Sequence, residues 1–436
     1  MTDRVVYNLS PNDKVKRNRV AHSWMRDTSV AKLQGGERHV GRRVGTVVRG
    51  IRIPIVRRGD AIDEMVVQGV MEAAEEEGFL IRDRDVVGIT ESVVARAQGN
   101  YATVDAIAAD VKGRFGSGTL GVVFPILSRN RYAILLKGIA RGAEHLVLQL
   151  SYPSDEVGNQ LFDPDLLDAY GIDPWADRLS EDQFRQSFGD TVHPFTGIDY
   201  VAYYRSLVEV EGAGCTILFS NHPETILEHT KSVLTCDIHT RVRTRQRLLA
   251  AGAETVYGLD DILSSSVDGS GYHPEYGLLG SNKATEETVK LFPRDCQQVV
   301  DRVQQLFGEK TGKTVEAMIY GDGAFKDPVG KIWELADPVV CPACTCGLVG
   351  TPNEVKIKYL ADNQFAGLAG RELQEAITGQ IRTKKACLTG AMEAQGTTPR
   401  WLTDLIGSLC DLTSGSGDKG TPVVHIQGYF DSFAEE

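Results

Sequence analysis

The sequence predicts an α/β to mixed α+β fold, on three observations. Short apolar runs bounded by glycine-rich or polar turns recur along the chain. Between them lie stretches whose apolar residues are spaced three and four apart. The 436 residues, 42% hydrophobic and 24% charged, suffice for a large core of ordinary globular composition. Strands alternating with helices imply helices packed on sheets.

Residues 1–45 are read as an arm, basic between Lys14 and Arg43. Gly50–Asp60 is extended, broken at Pro54, and carries Arg52, Arg57 and Arg58. Over 62–77, Ile62, Met65, Val66, Val70 and Ala73 fall on one helical face. Asp85–Thr90 reads as a buried strand, with Thr90 placed to cap the helix that follows. Further strands are expected over 120–126, 145–150, 215–220, 315–320 and 422–427. Further helices are expected over 223–234, 240–251, 294–307, 370–383 and 399–410. The last opens near Pro399, whose missing N–H costs nothing in a first turn.

A net charge of −12 argues against nucleic acid as a partner. No apolar run approaches the roughly 18–20 residues of a membrane span. The opening residues alternate charge and polarity too often for a secretory leader, so a cytoplasmic location is expected. Of eight cysteines, Cys341, Cys344 and Cys346 cluster. A zinc site would need a second knuckle, or His425 or Cys387 brought near in space. Incidental clustering is the plainer reading.

Two segments carry the chemistry. In Leu412–Gly428, glycines interleaved with serines precede an apolar run. Backbone N–H groups of Gly415, Ser416, Gly417 and Gly420 could converge on phosphate. Lys419 supplies a point charge and Asp418 a possible metal ligand; a surface turn is the alternative. In Val315–Pro328, an apolar strand ends at Gly321-Asp322-Gly323, followed by Lys326 and Asp327. A carboxylate at such a strand end stands in the usual ligand crevice. Its flanking glycines leave room for a metal with its waters, and only a cation is expected to neutralise it; a simple Asp-Gly turn is the alternative. Asn282 precedes the Leu291–Asp295 segment, and Arg96 lies in a helix just after a strand.

Together these segments resemble the γ-glutamyl ligases that add glutamate to coenzyme F-420 precursors. Ile53-Pro54 and Arg58-Gly59-Asp60 match the family's opening segment, and Thr90–Gly99 its strand-to-helix motif. Ser281-Asn282 with Leu291–Asp295, Asp322, and Ser416–Gly428 match the later motifs in order. The resemblance implies a two-domain fold of that family over 46–436, with large insertions at about 100–270 and 338–398. It implies GTP (or ATP) and two divalent cations, Mg2+ or Mn2+, in a groove at a homodimer interface. By this resemblance Ile53, Pro54, Glu91, Ser92, Arg96, Asn282 and the loop Gly415–Gly420 contact nucleotide. Asp322 and Lys419 are catalytic, and Asp322 and Gly323 hold metal. Leu279 stands where the family has a further metal-binding aspartate; either Asp268 or Glu275 replaces it, or a metal is lost. Asp237, His239 and Asp268, in the insertion, are candidates to shape an acceptor pocket.

The expected activity is nucleoside-triphosphate-dependent amide formation through an acyl phosphate. A carboxylate acceptor, a coenzyme F-420 precursor or another, is joined to L-glutamate or another amino acid. The rival is a non-catalytic nucleotide- or metabolite-binding protein on the same scaffold, favoured by Leu279.

Overall fold

The computed structural model describes residues 44–193, 196–323, 335–394, 400–414 and 417–434. Residues 1–43 of the basic arm, Lys326, Asp327, Pro399, Gly415 and Ser416 lie outside them. The fold is a mixture of helices with several sheets, in two compact units. One comprises Val44–Glu354 and Gly396–Ser432; the other draws on Val355–Gln395 and the chain end.

In the larger unit, a five-stranded sheet runs in the order Val47–Ile51, Val423–Gln427, Val86–Thr90, Glu316–Tyr320, Ala343–Cys344. Only Val86–Thr90 and Glu316–Tyr320 pair in parallel. Strand alternation sorts their side chains to two faces. Val87, Ile89, Ala317 and Ile319 pack against helices Ile62–Glu77 and Cys296–Thr311. Val86, Met318, Tyr320, Val424 and Ile426 pack against Ile406 and Cys410 of helix Leu402–Thr413. Gly88, in the central strand, lets Cys410 approach: a Cβ there would lie 2.4 Å from its Sγ.

The stretch 119–258 builds a second, six-stranded sheet, ordered Leu179–Ser180, Gly214–Phe219, His145–Leu150, Thr119–Val123, Ser232–Thr235, Thr255–Gly258. It is parallel except for its two-residue edge strand. A small antiparallel sheet pairs Asn282–Lys283, Thr288–Lys290 and Tyr101–Thr103. In the smaller unit, helix Gly370–Arg382 ends with Arg382 donating to the Ala434 carbonyl at 2.9 Å.

Several expectations are corrected. The strand expected to reach residue 126 stops at Val123, because Phe124 takes a positive φ of 58°. The helix expected over 223–234 is a 3-10 turn, Pro223–Glu228, followed by strand Ser232–Thr235. The run Ser232-Val233-Leu234-Thr235 suits a strand and finds an open edge beside Gly121–Val123. The helix expected from 294 starts at Cys296, after Asp295 at φ 53°, and that expected over 399–410 spans Leu402–Thr413. Thr90 stands at its helix N-cap, but its hydroxyl makes no capping bond. Helices Val104–Phe115, Ala133–Arg141 and Tyr200–Val210 carried no sequence prediction. In Ala133–Arg141, seven of nine residues are buried, and only Lys137 and Arg141, four apart, mark a narrow polar stripe.

Candidate active site

The parallel strands Val86–Thr90 and Glu316–Tyr320 end side by side, Thr90 opposite Tyr320. One continues into helix Glu91–Gln98, the other into Gly321-Asp322-Gly323. Glu91 and Asp322 are thereby delivered to one edge, where the carboxyl ends of parallel strands open a crevice.

Around Asp322 the two glycines make room for carboxylates. A Cβ on Gly321 would sit 2.3 Å from Asp337 Oδ2, and one on Gly323 would sit 3.0 Å from Asp411 Oδ2. The Asp322 N–H donates to Asp337 Oδ2 at 2.8 Å, and the Gly323 N–H to Asp411 Oδ2 at 3.0 Å. Asp337 is 3% exposed. Burial raises the Asp411 pKa against the relief from the Gly323 N–H.

The neutralising group is Arg131. Its Nη2 donates to both Asp322 oxygens at 2.8 and 2.7 Å, and its Nη1 to Asp337 Oδ1 at 2.6 Å. Burial opposes the guanidinium charge, but Asp337 and Asp322 outweigh it and hold the pKa above its ordinary value. The expectation that only a bound cation would balance Asp322 is corrected: an arginine 191 residues away in sequence does so.

A second pair lines the same site. Lys290 Nζ donates to Ser92 Oγ at 2.6 Å and lies 3.4 Å from both Glu91 oxygens. Both residues are buried. Burial, only partly offset by Lys290 and reinforced by Asp337, raises Glu91 to about 7. That places a proton acceptor near neutral pH.

These groups line a groove of about 790 Å³. Of the sequence-predicted residues, Glu91, Ser92, Arg96, Asn282 and Asp322 line it. Arg96 also donates from Nε to the Val56 carbonyl. Ile53 packs against the helix-covered face of the five-stranded sheet, and Pro54 is exposed; neither lines the groove. The groove wall reaches Leu412 and Ser414. Beyond them Gly417, Asp418, Lys419 and Gly420 are exposed and outside the lining, with the Lys419 carbonyl accepting from Arg52 Nε at 3.1 Å. Asp268 lines a different pocket, with Tyr101, Asp105 and Ser270. Glu275 is outside the groove lining, and Leu279 is core at 1% exposure. Asp237 lines a separate pocket with Glu156, Asn221 and Thr240, and its Oδ2 accepts from the Thr240 and Thr244 hydroxyls at 2.8 and 2.6 Å. His239 Nε2 lies 2.7 Å from the Leu335 carbonyl. His425 is buried, its Nε2 3.0 Å from Asp85 Oδ2, and it belongs to no group of three or more possible metal ligands among the described residues.

Sequence reading missed Arg131, Lys290, Asp337 and Asp411. Each becomes meaningful only through contacts across distant segments; Asp337 carried one local hint, as an acid shortly after the Gly321–Gly323 turn.

The lining cations Arg96, Arg131, Lys283 and Lys290 suit a polyanion. The divalent cations that the resemblance implies fit less well. Asp322 and Asp337 already share Arg131, and among the described residues no group of three or more His, Cys, Asp or Glu side chains is arranged to hold a metal. No helix among the described residues is long and apolar enough to cross a membrane. No curated protein matches the chain. The family model for F420-0:gamma-glutamyl ligase matches residues 50–428, nearly the whole chain, and the chain belongs to that family.

Proposed function

We propose that the groove binds a nucleoside triphosphate, GTP or ATP, and uses it to join a carboxylate acceptor to an amino acid, L-glutamate first among candidates. The family assignment makes the chain a ligase forming C–N bonds. The observation supporting the detailed reading is one groove holding four cationic side chains and a buried carboxylate held at about 7.

In this reading an acceptor carboxylate oxygen attacks the γ-phosphorus, the β,γ-bridging bond breaks, and a nucleoside diphosphate leaves. The amino nitrogen then attacks the acyl carbon, and phosphate leaves with the former carboxylate oxygen. Lys290, Lys283 and Arg96 offset the phosphate charge and orient it, while Arg131 balances Asp322 and Asp337. Glu91 takes the proton that the incoming ammonium must lose before it can attack. Mg2+ or Mn2+ enters the proposal only as counter-ion of the nucleotide's own phosphates. The acceptor is a small carboxylate such as a coenzyme F-420 precursor, and the working assembly is a homodimer.

Oxygen-18 in the acceptor carboxylate tests the chemistry. One labelled oxygen should appear in the released phosphate, read by mass spectrometry. Unlabelled phosphate alongside labelled amide would exclude the acyl phosphate.

A further inference from the structure

Arg131 comes from the six-stranded region, in the loop after strand Thr119–Val123. That loop is fixed at successive points. The Leu127 N–H donates to buried Asp155 Oδ2 at 2.7 Å, and the Ser128 N–H to Tyr204 Oη at 2.9 Å. Tyr204 in turn donates to the Ile126 carbonyl at 2.6 Å. The Arg131 N–H donates to Ser128 Oγ at 3.1 Å, and the Lys283 N–H to the Asn130 carbonyl at 2.7 Å. The guanidinium is therefore delivered by a braced loop, and its planar fork meets two carboxylates at once, a geometry an ammonium cannot reproduce.

Two carboxylates sharing one positive centre at a strand end is the arrangement in which a divalent cation would bridge them. We propose that Arg131 takes the place of that cation: Asp322 and Asp337 do not jointly bind a metal in this protein, and a built-in arginine supplies the positive charge at the groove floor. Charge counting agrees. The mutually interacting groups are Glu91, Asp322, Asp337 and Asp411 against Arg131 and Lys290. Without Arg131, Asp322 and Asp337 would lose the positive group they share.

The inference rests on the reading of this groove as the site of reaction, yet its test needs no turnover. Mn2+ binding to the full chain is followed by electron paramagnetic resonance without nucleotide, for wild type, Arg131→Gln, Arg131→Lys and Asp322→Asn. Arg131→Gln is expected to bind Mn2+ more tightly than wild type by about tenfold or more. Arg131→Lys, which keeps the charge but not the fork, should bind Mn2+ with an affinity between the two. A wild-type Mn2+ site as tight as that of Arg131→Gln, or one lost in Asp322→Asn, would overturn the proposal. If Arg131→Gln does not fold, the wild-type and Asp322→Asn pair decides: equally weak binding in both supports the proposal, and a wild-type site lost in the variant overturns it. Failure of the ligase reading would show separately, as wild type failing to bind a non-hydrolysable GTP analogue by calorimetry.

Discussion

Glu91 shows how one position changes a carboxylate's chemistry. At the start of its helix, a glutamate in water would stay ionised at neutral pH. Buried against Lys290 and near Asp337, it is held at about 7. A base works when deprotonated, so activity should rise as pH climbs through about 7 and level off above it. Glu91→Gln, which keeps the shape and cannot take the proton, should lose that limb and about 100-fold or more in turnover. The check is a pH profile of kcat/KM for both proteins; an unchanged profile in the variant would assign the limb to another group. At this scale the sequence was partly readable. Glu91, Ser92, Arg96, Asn282 and Asp322 all line the groove and were all named from motif positions. Arg131 and Lys290 gave no local signal, because their partners lie 191 and 199 residues away.

Elements were most legible where periodicity was clean. Helix Ile62–Glu77 and strand His145–Leu150 match their expected spans. The failures have local causes: a left-handed Phe124 ended one strand early, and the Ser232–Thr235 run joined a sheet instead of extending a helix. Close packing between elements gives a test of the five-stranded core. Gly88→Ala would push a methyl into Cys410, from which its Cβ would be 2.4 Å. Overpacking of this kind should cost about 1–3 kcal/mol in urea unfolding. The pair Gly88→Ala, Cys410→Ala should recover most of that loss, since the two positions are in contact. The cysteine turn gives another test. A hydrogen bond from Cys341 holds Cys344 down at about 7 and raises Cys341. A low thiol pKa here follows from a neighbouring thiol and needs no metal. Purified protein should hold no stoichiometric zinc, and the Cys344→Ser, Cys346→Ser variant should unfold at the wild-type midpoint. One zinc per chain by metal analysis would reverse this.

For the whole molecule, alternation of strands and helices announced the mixed α/β fold, and the motif order announced the family. What the sequence did not disclose is how the 119–258 stretch serves the groove. Its strands read as ordinary buried runs, yet the loop after the first of them carries Arg131 to Asp322 and Asp337. The catalytic reading can be put to a direct measurement. Purified wild type and Asp322→Asn are supplied with GTP or ATP, magnesium, L-glutamate and a coenzyme F-420 precursor. Phosphate release and the mass of the acceptor are followed together. Wild type should release one phosphate for each glutamate added, and Asp322→Asn, which removes one of the two carboxylates that hold Arg131, should do neither while still folding. Phosphate release without glutamate addition, no nucleotide consumption at all, or wild-type turnover in Asp322→Asn would contradict the assignment of this groove as the ligase active site.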